Sequence, residues 1–303
     1  MKVFLAGASG AIGVPLIRAL VAAGHEVTAL TRFEANAPAL RALGAVPAIA
    51  DALDADALRR AVAAARPTHV VHQLTALPKG GPRSSRDLEP TNRLRIDGTR
   101  NLIDASAAAG ATRIVVGSFA LFRGDEGPAA PPPMRAAADA VRSMEAQTLE
   151  ASRRGAIEGV VLRYGLFYGP DTGSTRQMTA MAKRRLLPAI RGDRSLLPCI
   201  HVDDAARATA LALERAPAGA VYDIVDDRAV SLSEINEAVA AAAGAPRPLA
   251  IPSWLPRLIA PYLATVLSVR MPLSNRLARA DLGWRPAYPT ISEGLASAVG
   301  RAA

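Results

Sequence analysis

An apolar run, Val3-Phe4-Leu5-Ala6, passes straight into Gly7-Ala8-Ser9-Gly10-Ala11-Ile12-Gly13. No other stretch limits the fold so tightly. The apolar residues read as a buried strand, and the glycines read as a turn opening a helix over 12–23. Gly7 permits the turn, Gly10 lets backbone amides approach a bound group, and Gly13 lets the helix pack on the strand. Unpaired amides and the positive end of the helix dipole then favour a pyrophosphate. The pattern predicts a dinucleotide-binding half-sheet whose cofactor loop is Gly7, Ser9, Gly10, Ala11, Ile12 and Gly13.

The chain beyond it alternates. Strands are expected at 27–30, 46–49, 68–72, 113–116, 159–162 and 222–225. Helices are expected at 38–43, 56–65, 93–109, 136–152, 204–215 and 231–243, the last capped by Ser231 with Glu234 closing a capping box. Alternation of this kind predicts an α/β fold, a doubly wound parallel Rossmann sheet. Segments 75–90 and 127–133 are rich in Pro and Gly and read as functional loops. Residues 1–165, rejoined by 195–225, form the expected dinucleotide-binding domain. Residues 166–194 and 226–303 form a smaller substrate-binding cap.

The formal charge of +9 does not argue for nucleic acid. The arginines are dispersed, aromatic residues are scarce, and no recognition motif accompanies them. A lone cysteine, Cys199, excludes a disulfide framework and a multi-cysteine zinc site, and agrees with a reducing cytoplasm. His201 has no second ligand at metal-binding spacing. The apolar run 258–269 contains Pro261 and is too short for a bilayer core of about 30 Å, so no membrane span is expected. Trp254 and Trp284 read as packing residues, and Asp203 or Asp204 as a helix N-cap.

The end of the second strand decides which dinucleotide fits. A carboxylate there accepts from the 2′-hydroxyl of NAD, whereas an arginine pairs with the 2′-phosphate of NADP. The chain has Thr31-Arg32. Glu34 weighs the other way, but NADP(H) is favoured over NAD(H).

The residues now resemble the extended short-chain dehydrogenase/reductase family, the NAD(P)-dependent epimerase/dehydratase group. Besides the glycine loop, the resemblance rests on Asp51-Ala52-Leu53-Asp54, Val71-His72-Gln73-Leu74-Thr75-Ala76 and Gly98-Thr99-Arg100-Asn101-Leu102. It extends to Leu162-Arg163-Tyr164-Gly165-Leu166-Phe167-Tyr168-Gly169-Pro170, His201-Val202-Asp203-Asp204-Ala205 and Leu282-Gly283-Trp284-Arg285-Pro286. It implies Asp51 and Ala52 beside the adenine, and Leu74 and Thr75 along the ribose and phosphates. Tyr164, Gly165 and Leu166 would flank the nicotinamide. Family members often pair into homodimers through the helices at 93–109 and 136–152.

The family's chemistry uses a hydroxyl residue and a Tyr-x-x-x-Lys pair on one helix face. This chain departs from it. No tyrosine lies between Ala105 and Glu158, and no lysine between Lys79 and Lys183. With Glu145 as the register mark, Ala137 replaces the tyrosine and Val141 the lysine. Phe119 takes the hydroxyl position, with Ser118 one residue earlier, and Arg95 stands in place of an asparagine. Tyr164 and Ser118 are left as candidate proton donors. The expectation is an atypical NADP(H)-dependent oxidoreductase acting on a small or mid-sized carbonyl or hydroxyl compound. The alternative is a non-redox cyclase or isomerase, or a cofactor-sensing regulator.

Overall fold

The computed structural model describes residues 1–78, 81–82, 84–122, 134–170, 172–259, 270–271 and 273–299. The first half runs β1 (Lys2–Ala6), α1 (Gly13–Ala22), β2 (Glu26–Thr31), α2 (Ala37–Ala42), β3 (Val46–Ile49), α3 (Ala55–Ala65) and β4 (His69–His72). Next, α4 (Glu89–Arg93) passes through a π-turn at Leu94–Gly98 into α5 (Thr99–Ala108). Then come β5 (Arg113–Phe119), α6 (Arg135–Arg153), β6 (Glu158–Tyr164), β7 (Leu166–Tyr168), α7 (Gly173–Lys183), β8 (Ala189–Ile190) and β9 (Cys199–His201). The chain continues through α8 (Val202–Arg215), β10 (Val221–Ile224), α9 (Leu232–Ala242), β11 (Ala250–Ile251), α10 (Leu255–Ile259), α11 (Arg276–Leu282) and α12 (Ile291–Val299).

Seven strands form one sheet in the order β3-β2-β1-β4-β5-β6-β10, every pairing parallel. The expected doubly wound Rossmann sheet is present. Both faces are covered, and the two-residue strand period sorts the apolar side chains between them. Val3 and Leu5 turn to the side of α1 and α8, where they meet Leu16, Leu213 and Trp284. Phe4 and Ala6 turn to the side of α3, α5 and α6, where they meet Leu58, Leu102 and Met144. A third cluster lies off the sheet, where Tyr168, Leu187, Leu197, Val239 and Leu295 pack together around α7, α9 and α12.

Several local expectations change. Asp54 caps α3, accepting from the amides of Asp56 and Ala57. Asp51 closes a turn onto Leu53 N. The cap of α8 is His201, whose Nδ1 accepts from Asp203 N at 3.2 Å, rather than either aspartate. Asp204 is fully buried and accepts from the amides of Ala287 and Tyr288. Trp284 is core, but Trp254 is 60% exposed, so its packing role fails. The helix expected from residue 93 starts at Glu89, because Pro90 fits its first turn. The capping box of Ser231 and Glu234 is formed. The loop 127–133, with Arg123 and Gly124, lies outside the described residues, as do residues 260–269 of the apolar run. No helix among the described residues is long and apolar enough to cross a membrane.

Candidate functional site

The winding of the sheet reverses between β1 and β4, which leaves a crevice beyond their carboxyl ends. A cleft of about 1070 Å³ opens there. Its floor is the glycine loop. Gly7 has φ +98°, and a Cβ on it would sit 2.4 Å from Gln73 O, so only glycine lets the turn cross the end of β4. A Cβ on Gly13 would lie 2.3 Å from Ala8 O. The first turn of α1 has neither a side-chain cap nor an acidic residue. Its amides are therefore open to an anion, and Ser9, Gly10 and Ala11 are exposed along the cleft.

Thr31, Arg32, Asp51 and Ala52 form one wall, and Leu74 and Thr75 another. Thr31 is held by its turn, its hydroxyl accepting from Asn36 Nδ2 at 2.9 Å. Arg32 faces Asp51 at 3.8 Å and lies over the Phe33 ring at 5.3 Å. Both charged groups are half-exposed, so their mutual attraction is weak and Arg32 is available to a stronger anion. Arg18 joins it at the rim, with no acidic partner among the described residues. Sequence reasoning missed Arg18; it reaches the cleft from the second turn of α1, and no local pattern marks it.

Of the other residues singled out from sequence, Ile12 and Gly13 lie behind the loop as packing residues. Tyr164, Gly165, Leu166 and Ser118 do not line the cleft. The Tyr164 hydroxyl is buried between Thr209 Oγ1 at 2.7 Å and Gln73 Nε2 at 2.9 Å. Burial pushes its pKa well above the ordinary tyrosine value. Ser118 donates to Glu145 Oε1 at 2.5 Å, and Arg163 grips the same buried carboxylate at 2.7 Å. Both hydroxyls are thus occupied by structural bonds, and this geometry gives neither the role of proton donor. Ala137 and Val141 are buried and apolar. Gly165 meets the backbone of Pro198 and Cys199, which joins β7 to β9.

The opposite side of the cleft comes from α7 and the start of α8. Pro170, Thr172, Met178, Met181, His201 and Asp203 line it. His201 is buried, edge-on to Tyr168 at 5.3 Å and against Tyr288 at 4.3 Å. Behind it, Tyr168 donates to Asp226 at 2.9 Å, and burial raises the Asp226 pKa to about 8. Among the described residues no cluster of three or more His, Cys, Asp or Glu could hold a metal ion.

Residues 3–225 match the Epimerase family, the NAD dependent epimerase/dehydratase family. A Streptomyces sp protein named 3-diazoavenalumate denitrifying reductase is 38% identical over 97% of this chain and 99% of its own length. The ceramide reductase of Caulobacter vibrioides is 30% identical, over 82% of this chain and 73% of its own. Among solved structures, UDP-glucose 4-epimerase of Thermus thermophilus, in complex with NAD, superposes with a TM-score of 0.78. It is 25% identical, over 99% of this chain and 98% of its own. The switch-point cleft, the glycine cradle at its floor and these likenesses agree: the chain belongs to the NAD dependent epimerase/dehydratase family and is an NAD(P)-dependent oxidoreductase or epimerase.

Proposed function

We propose that this protein is an NADP(H)-dependent reductase of a small or mid-sized organic compound. The observation that carries the reading is the pair of guanidiniums, Arg32 and Arg18, at the cleft rim beside the end of β2. An NADP 2′-phosphate there would replace the long Arg32–Asp51 contact with charge-assisted bonds. In this reading Ser9, Gly10 and Ala11 cradle the pyrophosphate with Gly7, Ile12 and Gly13 shaping the loop. Asp51 and Ala52 border the adenine, and Thr31 steadies the turn that carries Arg32. Leu74 and Thr75 follow the ribose and phosphates, with Gly165 and Leu166 behind the nicotinamide end. When bound, the dinucleotide supplies a hydride equivalent; the chain's own residues bind it, orient it and exclude water. The segments around α7 and α9 hold the substrate.

Reductase names among the relatives support reduction over the isomerase and sensor alternatives. The relatives' names join reductases to a diazo compound in one case and to keto or oxo compounds in others.

The test is a thermal-shift and titration comparison of NADPH with NADH, since a ligand of the folded state raises the transition by mass action. NADPH is expected to bind more tightly. Arg32→Ala is expected to weaken NADPH roughly 10- to 100-fold while leaving NADH little changed. An Arg32→Ala protein that keeps the full preference would refute the assignment.

A further inference from the structure

The chain leaves β4 beneath a row of buried helix residues, and one of them is a cation. Thr91, Arg95 and Thr99 follow one another along α4, the π-turn and the start of α5. Thr91 Oγ1 accepts from Ala76 N at 2.9 Å, and Thr99 Oγ1 bonds His72 Nε2 at 2.9 Å. Arg95 therefore stands over residues 72–76, of which Gln73, Leu74 and Thr75 line the cleft, and it directly follows cleft-lining Leu94. Its charge is felt at His72, where it is second only to burial in lowering the pKa.

Arg95 is 9% exposed, yet among the described residues its side chain makes no hydrogen bond and no ion pair. The carboxylates of the elements around it are spent elsewhere. Asp97 of the same turn pairs with Arg100 at 2.6 Å, and Glu145, the buried carboxylate of α6, is held by Arg163 and Ser118. Asn92 Oδ1, one turn earlier, is an enclosed acceptor that Arg95 does not reach. Burial pulls the Arg95 pKa down to about 10, so the group stays charged at neutral pH. None of its nitrogens is fully enclosed, so the guanidinium opens onto accessible space rather than into packed side chains. A charge this deep without a counter-charge costs stability. Its counter-charge is left to a ligand. On the proposed reading the phosphates of the dinucleotide have partners already, the glycine-loop amides for the pyrophosphate and Arg32 with Arg18 for the 2′-phosphate.

We infer, resting on the reductase reading above, that Arg95 receives an oxyanion of the compound to be reduced, a carboxylate or a phosphate, so that the substrate enters as an anion. The planar fork of a guanidinium gives two parallel N–H···O bonds to either group. The contact binds and orients; it moves no proton, because a guanidinium is not an acid at neutral pH.

The test reads binding without turnover. The protein loaded with NADP+ is titrated by calorimetry with benzoate, with phenyl phosphate and with benzamide, the neutral isostere of benzoate. At least one anion is expected to bind roughly 10- to 100-fold more tightly than benzamide, the scale of hydrogen bonds to a charged group. The tighter of the two names the oxyanion. Arg95→Met keeps an aliphatic stem and removes the charge, and is expected to erase the preference. The same variant is expected to raise the unfolding temperature of the free protein by a few degrees, because the charge it removes has no partner in the fold. Equal binding of all three compounds, or a preference that survives Arg95→Met, overturns the proposal. A lower unfolding temperature, or a variant that does not fold, means that the guanidinium is held within the protein and overturns it as well. NADP+ binding weakened by Arg95→Met assigns the guanidinium to the phosphates of the dinucleotide and overturns the substrate assignment. If the unaltered protein binds no dinucleotide, the reductase reading falls by itself, and the same three titrations of the free protein and of Arg95→Met still decide whether Arg95 is an anion site.

Discussion

Glu145 shows how a buried charge can be held as a structural group. Its carboxylate is 4% exposed and is held by Arg163 and Ser118. Burying the pair is tolerable only because each charge has a partner, so removing one side strands the other. Glu145→Ala is expected to cost on the order of 3–5 kcal/mol, measured by urea unfolding. Ser118→Ala should cost far less and leave NADPH consumption intact. His72 gives a second residue-scale expectation. It is buried at the end of β4, bonded to Thr99 Oγ1 and accepting from Leu74 N. Burial, and then the Arg95 charge, lower its pKa to about 4. A base whose folded pKa lies below its unfolded value stabilises the fold above the unfolded value, about 6.5. That stability is lost as pH falls toward 4, by about 3 kcal/mol in all. Acid titration monitored by circular dichroism should show the loss, and His72→Gln should flatten it.

The elements that build the cleft floor were the most legible in the sequence. β1, its glycine turn and α1 are contiguous, so spacing alone places Gly7, Gly10 and Gly13. Gly13→Ala tests that placement: its Cβ would meet Ala8 O at 2.3 Å, a rigid backbone atom. The variant should unfold several degrees earlier and lose dinucleotide binding, read by thermal shift with and without NADPH. Arg32 was legible for the same reason, since it ends a strand whose neighbour is fixed by topology. Tyr164 was misjudged because its partners, Thr209 and Gln73, lie 45 and 91 positions away. The cap of α8 was misjudged because histidine, a less usual cap than aspartate, supplies the acceptor. Arg18 left no trace at all, since an exposed helix arginine looks the same whether or not a cleft lies beneath it.

At the scale of the whole molecule, the cleft joins segments of very different origin in the chain. One wall, which the proposed reading assigns to the dinucleotide, comes from residues up to Leu94, and the other, assigned to the substrate, from Pro170 onward. Asp204 fastens the latter. Trp284 Nε1 donates to its carbonyl oxygen, and the amides of Ala287 and Tyr288 donate to its carboxylate, 80 to 84 positions away. This clasp also sets an order in time. During synthesis the glycine loop and its neighbouring strands are available to pair early. The start of α8 must wait for residues 284–288 before its buried carboxylate is satisfied. On the proposed reading, the glycine-loop half of the crevice can therefore form before residues 284–288 exist to fasten the wall built by α8.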